Sequence, residues 1–179
     1  MIKFNVGCGK RNWAGWVSID GGNYDHVTDH DITLKYQPNN YIDLLYSSHL
    51  IAYMSRQEIK EILSIWFMKI KPGGTLRIAT PDFDILSKMY QVGVDLDRLI
   101  GPLFGHMSMN ESSIWHKITY DEKTLTALLT EAGFTNVRRY NHCTTEHPNT
   151  GDLEDYYVDH SAAYLNGTLI SLNMESQKP

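Results

Sequence analysis

The sequence predicts an α/β fold in which helices cover a mostly parallel central sheet of about six or seven strands. Short β-leaning runs alternate with stretches of helical period. Three of those runs end in small, polar or acidic residues, as strands do where the carboxyl edge of a parallel sheet faces a ligand crevice. The 179 residues are enough for one sizeable core, so a single domain over residues 1–179 is expected.

Residues 2–6 form an apolar run that stops at Gly7-Cys8-Gly9, and residues 16–19 form a second that stops at Asp20. Residues 26–31 make a third, more polar strand candidate. Residues 41–46 run into Ser47-Ser48-His49, and residues 75–80 run into Pro81-Asp82. Ser55 followed by Glu58 fits a capping box. Beyond it, Ile59, Ile62, Leu63, Trp66, Phe67 and Ile70 recur at helical spacing. Lys71-Pro-Gly-Gly74 is expected to stop that helix and turn the chain. Asp82 can cap a second helix carrying Ile85, Leu86, Met89 and Tyr90. A third, from about Asp121 to Ala132, ends at Gly133. Residues 134–140 and part of 164–172 complete the strand candidates. Residues 93–115 and 142–160 show no clean period and read as long loops.

Composition removes several classes of function. Lys and Arg total 16 against 21 Asp and Glu, a formal charge of −5 without a basic run, which argues against a broad nucleic-acid or anionic-membrane footprint. Two cysteines do not make a disulfide framework. The opening residues lack a signal-peptide core, and no stretch reaches membrane-spanning length, so a soluble cytoplasmic protein is expected.

The candidate chemistry gathers at the strand ends. Gly7 and Gly9 stand where a strand must turn sharply and let a ligand approach bare backbone. Asp20, eleven positions after Gly9, can accept hydrogen bonds from both hydroxyls of a ribose. The third glycine of a dinucleotide fingerprint is replaced by Asn12, which disfavours a nicotinamide-dependent oxidoreductase. His26, Asp29, His30 and Asp31 raise the alternative of a metal-dependent enzyme, although no established ligand spacing is present.

Phe4-Asn-Val-Gly-Cys-Gly9, Gly15-Trp16-Val-Ser-Ile-Asp20, Asp31-Ile32, Tyr46-Ser-Ser-His49, Lys71-Pro-Gly-Gly-Thr-Leu-Arg-Ile78 and Pro81-Asp82 occur in that order. The series resembles the class I S-adenosylmethionine-dependent methyltransferases, in particular short bacterial methyltransferase-like proteins associated with polysaccharide biosynthesis. It extends through His116-Lys117 and residues 125–138, so it covers roughly residues 2–140. The resemblance implies a Rossmann-like three-layer sandwich and S-adenosyl-L-methionine as cofactor. It also implies transfer of a methyl group, most naturally to an oxygen of a small-molecule or saccharide acceptor. Asn5, Gly7, Cys8 and Gly9 would face the amino-acid part of the cofactor, Asp20 its ribose, Asp31 and Ile32 its adenine, and Ser47 and Ser48 the region of the sulfonium. Because methyl transfer asks mainly for positioning, a base is the chief catalytic need. His49 is the first candidate, followed by His116 and Asp82.

Two departures bear on that reading. Family members commonly continue the His49 segment with Leu and then Glu-His, whereas this chain has Leu50-Ile-Ala-Tyr53. The connection from Gly9 to Asp20 is also shorter than the dozen or so residues of an ordinary crossover, so the N-terminal half is expected to be trimmed. A non-catalytic module binding S-adenosylmethionine or S-adenosylhomocysteine is the corresponding alternative.

Overall fold

The computed structural model describes residues 1–109, 112–145 and 163–179. Its strands and helices in chain order are β1 (Lys3–Val6), β2 (Val17–Ile19), β3 (Ile42–Ser48), α1 (Arg56–Lys69), β4 (Ile70–Pro81), α2 (Phe83–Gln91), α3 (Leu96–Phe104), β5 (Met107–Met109), β6 (Ser112–Ile114), α4 (Glu122–Glu131), β7 (Thr135–Arg139), β8 (Tyr164–Leu165), β9 (Thr168–Leu169) and β10 (Ser171–Gln177). The main sheet has the order β2-β1-β3-β4-β10-β7. Five of its strands run one way, and β10 runs antiparallel to both neighbours. The α/β class, the mostly parallel sheet and the lower of the two expected strand counts therefore hold.

Strand alternation decides which side chains make the core. Phe4, Leu45 and Leu76 lie in register across β1, β3 and β4, as do Val6, Ser47 and Ile78. This face packs on Ile59, Ile62, Leu63 and Trp66 of α1 and on Leu125 and Leu129 of α4. The opposite face carries the row Asn5, Tyr46, Arg77 and Glu175. There the short connection from β1 to β2 folds as two turns, closed by Arg11 N–H to the Cys8 carbonyl and Trp16 N–H to that of Trp13. Trp13 and Trp16 lie against Leu44 and Tyr46, with ring centroids of Trp13 and Tyr46 5.4 Å apart. Two tryptophans thus cover a patch of sheet where a crossover helix would otherwise sit.

The structure corrects three expectations. Residues 26–31 do not form a strand but turns that meet the sheet through one bridge, Asp29 to Ile19. Asp29 accepts from Asp31 N–H, and Asp31 from Thr33 N–H, so short acidic side chains win the backbone from the ladder. Lys71-Pro-Gly-Gly74 is not a separate turn. It is an excursion inside β4, where pairing jumps from Ile42–Ile70 to Leu44–Thr75. A Cβ on Gly74 would come 2.7 Å from Ile70 Cγ2 and 2.9 Å from the Lys71 carbonyl, so only glycine fits. Residues 93–115 are no loop: they hold α3 and the β5–β6 hairpin. Part of 164–172 is extended as expected: first the small β8–β9 hairpin, then the start of β10, which enters the main sheet. Residues 146–162 of the second long loop lie outside the described residues.

The capping box forms as the sequence indicates: Ser55 Oγ accepts from Glu58 N–H and the Glu58 carboxylate accepts from Ser55 N–H. The Ser55 N–H, the Ser55 hydroxyl and Lys117 hold the Glu58 carboxyl down from 4.5 to about 2. A depressed carboxylate stabilises the fold above its unfolded pKa and loses that contribution as pH falls through the folded value. Glu58→Gln is therefore expected to lower the urea midpoint at pH 7, with the gap to wild type closing between about pH 4.5 and 2. Ser55→Ala should cost about 1 kcal/mol in the same titrations at neutral pH.

Candidate functional site

At the carboxyl ends of β1 and β2 the backbone turns outward and is stitched down twice. The N–H groups of Gly7 and Cys8 donate to the Ile19 carbonyl, at 2.8 and 3.2 Å. The Asp20 carboxylate then accepts from Gly9 N–H at 2.8 Å through Oδ2 and from Gly22 N–H at 2.7 Å through Oδ1. Each oxygen keeps a lone pair for a further donor. The two glycines differ in purpose. A Cβ on Gly7 (φ +76°) would come 2.9 Å from Leu50 Cβ, whereas one on Gly9 (φ +54°) would meet no atom within 4 Å. Gly7 is a packing requirement, and Gly9 opens onto empty space.

That space is a cavity of about 430 Å³. Gly7, Cys8, Gly9, Lys10, Arg11, Asp20 and Tyr24 line it, together with Ser48 at the end of β3, with His49, Leu50 and Tyr53 beyond that strand, and with Gly101, Gly105, His106, Met107 and His116. Of the residues singled out in the sequence, Gly7, Cys8, Gly9, Asp20, Ser48, His49 and His116 thus meet around one space. The volume is within the usual range for small-molecule sites.

The others stand apart from the lining. Asn5 and Ser47 are wholly buried in the sheet, their side-chain polar atoms without a hydrogen-bond partner among the described residues. Ser47 shares a row with Val6 and Ile78 on the core face, and strand alternation gives the cavity to Ser48 instead. Asp31 is engaged by the amides of Thr33 and Lys35, and the Ile32 carbonyl accepts from the Trp66 indole at 3.0 Å. Asp82 is buried, caps α2 through the amides of Asp84 and Ile85, and pairs with Arg139 at 2.9 Å. That geometry makes it a structural carboxylate. The acidic and histidine side chains of 26–31 are likewise spent on protein partners. The His26 ring donates to the Gly9 carbonyl at 3.0 Å, and the His30 ring to the Asp20 carbonyl at 2.9 Å. Among the described residues no group of three or more His, Cys, Asp or Glu is arranged to hold a metal.

Local environment sets the chemistry of the lining groups. Burial and the Asp20 charge push the Cys8 thiol up to about 11, so it stays protonated and is no nucleophile at neutral pH. His49 is buried and adopts a left-handed backbone (φ +53°), with Nε2 3.4 Å from the Ser171 hydroxyl. His116 Nδ1 lies 3.2 Å from the Leu103 carbonyl. A carbonyl only accepts, so Nδ1 carries the hydrogen and Nε2 holds the lone pair. Burial lowers the imidazole's proton affinity, against the opposing pull of the Leu103 and Pro102 carbonyls. Sequence reasoning missed Tyr53, Gly105 and His106. The signal was present for His106: it flanks a pair of short runs, Met107–Met109 and Ser112–Ile114, whose antiparallel pairing returns the chain to His116.

This fold recurs in solved structures. A SAM-dependent methyltransferase from Archaeoglobus fulgidus superposes with a TM-score of 0.57 at 18% identity, over 98% of this chain and 85% of that one. A possible histamine N-methyltransferase from Thermotoga maritima gives 0.56 at 12%, over 99% and 82%. The complex of DhpI with S-adenosylhomocysteine gives 0.55 at 10%, over 99% and 76%. The fold is that of the S-adenosylmethionine-dependent methyltransferases. No protein-family profile matches the chain. Curated relatives named ubiquinone/menaquinone biosynthesis C-methyltransferase UbiE, from two strains of Vibrio vulnificus, are 28% identical over 146 residues, 76% of this chain. The chain spans about half their length, 52%. Among the described residues no helix is long and apolar enough to cross a membrane.

The two glycines give a direct check on this geometry. Gly7→Ala must fit a Cβ against Leu50 in a left-handed backbone and should lose on the order of 2–4 kcal/mol. Gly9→Ala carries only the backbone penalty of about 1–2 kcal/mol. Thermal unfolding of both variants should rank Gly7→Ala as clearly the less stable.

Proposed function

We propose that the chain binds S-adenosyl-L-methionine in the cavity and transfers its methyl group to a small acceptor. The carrying observation is the notch at the ends of β1 and β2: Gly9 leaves room for a ligand against bare backbone, and the neighbouring Asp20 carboxylate keeps acceptor capacity at the rim. Those residues fit an adenosyl group. Asp20 is positioned to take the two ribose hydroxyls, and the Gly7–Gly9 backbone to border the amino-acid part. Asp31 and Ile32, the adenine partners implied by resemblance, are not among the residues lining the cavity, and the Asp31 carboxylate is engaged by the Thr33 and Lys35 amides, so we favour Tyr24 and the Lys10-Arg11 segment for adenine.

The bound cofactor supplies a methyl group already activated on a sulfonium. The chain's part is to orient the acceptor, exclude water and manage one proton; positioning of this kind supplies on the order of 7–11 kcal/mol of barrier reduction. Ser48, His49, Tyr53, Gly105, His106 and His116 complete the lining, and we assign this part of it to the acceptor. We place the methyl on an acceptor oxygen, of a small aromatic or saccharide hydroxyl. The printed name of the Vibrio relatives favours a second product, methylated on carbon. Removal of a phenolic proton makes both the oxygen and the adjacent ring carbon nucleophilic, so one site serves either outcome and product analysis separates them. Cofactor binding without transfer to any acceptor would mark a binding module instead.

Isothermal calorimetry with S-adenosylmethionine and S-adenosylhomocysteine tests the cofactor half. Asp20→Ala should weaken both ligands at least tenfold, about 1.4 kcal/mol or more, while its melting curve still reports a folded chain. Equal affinity in wild type and a folded variant removes Asp20 from the ribose; no binding by wild type removes the cofactor reading.

A further inference from the structure

The charge of the cavity runs against the charge of the chain. The chain as a whole carries a formal −5. Among the described residues lining the cavity, by contrast, the cations Lys10 and Arg11 stand against a single carboxylate, Asp20. Lys10 forms no ion pair among the described residues. Arg11 is fixed beside the glycine turn: its N–H donates to the Cys8 carbonyl, and its guanidinium charge is felt at the Cys8 thiol. Asp20 already uses both carboxylate oxygens on the amides of Gly9 and Gly22. The neutral lining adds donors. Tyr24 and Tyr53 bring phenol hydroxyls, and Ser48 Oγ, buried, meets no hydrogen-bond partner among the described residues. A buried hydroxyl is costly until a ligand atom completes it.

Position within the cavity changes this field little. A space of about 430 Å³ is comparable in width to the screening length, about 10 Å at 0.1 M salt, so any occupant feels all three charges. The proposed cofactor does not offset the surplus. Its carboxylate and ammonium cancel, its adenine is neutral, and its sulfonium adds a further positive charge. Lining and cofactor together then hold two more positive charges than negative ones, partly shielded from water. A cleft of one sign gathers the opposite charge. Resting on the proposed methyl transfer, we infer that the acceptor is an anion, a hydroxyl compound that carries a carboxylate or a phosphate. Lys10 and Arg11 supply the attraction, and Ser48 supplies a short-range donor. A guanidinium engages two oxygens of either group at once, whereas a neutral phenol or sugar leaves both cations without a counter-charge. An amine is disfavoured on the same ground, because like charges in one cavity repel.

Isothermal calorimetry tests this on the chain saturated with S-adenosylhomocysteine; a wild type that does not bind that ligand defeats the cofactor reading beneath the inference. The loaded chain is titrated with catechol, with protocatechuate, which is catechol bearing one carboxylate, and with inorganic phosphate. Protocatechuate should bind roughly tenfold or more tightly than catechol, and raising the salt from about 50 to about 500 mM should erase most of that preference. Phosphate should bind about threefold or more tightly when S-adenosylmethionine replaces S-adenosylhomocysteine, because only the former carries the sulfonium charge. Lys10→Gln and Arg11→Gln, at saturating S-adenosylhomocysteine, should each weaken the anions severalfold and leave catechol where it was. If Arg11→Gln fails to fold, Lys10→Gln and the wild-type titrations still decide. Binding of one anion alone upholds the proposal and names the group. A loaded wild type that binds neither anion, or that binds catechol as tightly as protocatechuate, overturns it.

Discussion

The Asp20 carboxylate is the constraint on which the rest of the site depends. It takes the amides of Gly9 and Gly22, one on each oxygen, and so fixes two turns that leave adjacent strands. Hydrogen bonds to a charged acceptor are stronger than neutral ones, on the order of 1.5–3 kcal/mol each. Removing the carboxylate releases both turns together. Around it gather the carbonyl of Gly9, which accepts from His26, and the carbonyl of residue 20 itself, which accepts from His30. His26 and His30, two of the four candidate metal ligands, are in this way part of the scaffold of a backbone notch.

A trimmed connection needs another way to cover the sheet. The few residues between β1 and β2 cannot form a crossover helix, and Trp13 and Trp16 replace it by laying large rings on Leu44 and Tyr46. Each aromatic side chain buries as much surface as several small ones. The connection from β2 to β3 is similarly spare. It is held by the Trp66 indole, which reaches from α1 to the Ile32 carbonyl, and by Leu34, fully buried in the core. Economy at this end leaves the adenine side of the cavity to be bordered by Tyr24 and the Lys10-Arg11 segment, while Asp31 is consumed in keeping its own turn.

Much of the fold was legible because local and tertiary preferences agree. The period of α1, its capping box, the Asp82 cap, the start of α4 and the glycine turn after β1 are short-range features, and each stands where the residues indicate. Legibility failed where local signals conflict. Residues 93–115 mix glycines, a proline and methionines; their helix is held through Leu99 and Leu103 by the cluster of Leu86, Met89 and Ile170, and their hairpin by its own pairing, neither of which a local period announces. Residues 26–31 have enough bulk for a strand, but carboxylates that bond their own backbone turn it aside.

The sequence by itself determined the class of fold, the glycine turn and the acidic residue that ends the second strand, because these rest on backbone sterics and on neighbours close along the chain. Only the tertiary structure decided which candidates share a space. Strand alternation separates Ser48 from Ser47, an ion pair with Arg139 withdraws Asp82, and a hairpin far along the chain brings His116 to a cavity begun at Gly9. Proximity between distant residues is set by packing and strand register, and neither is written in the order of residues around any one of them.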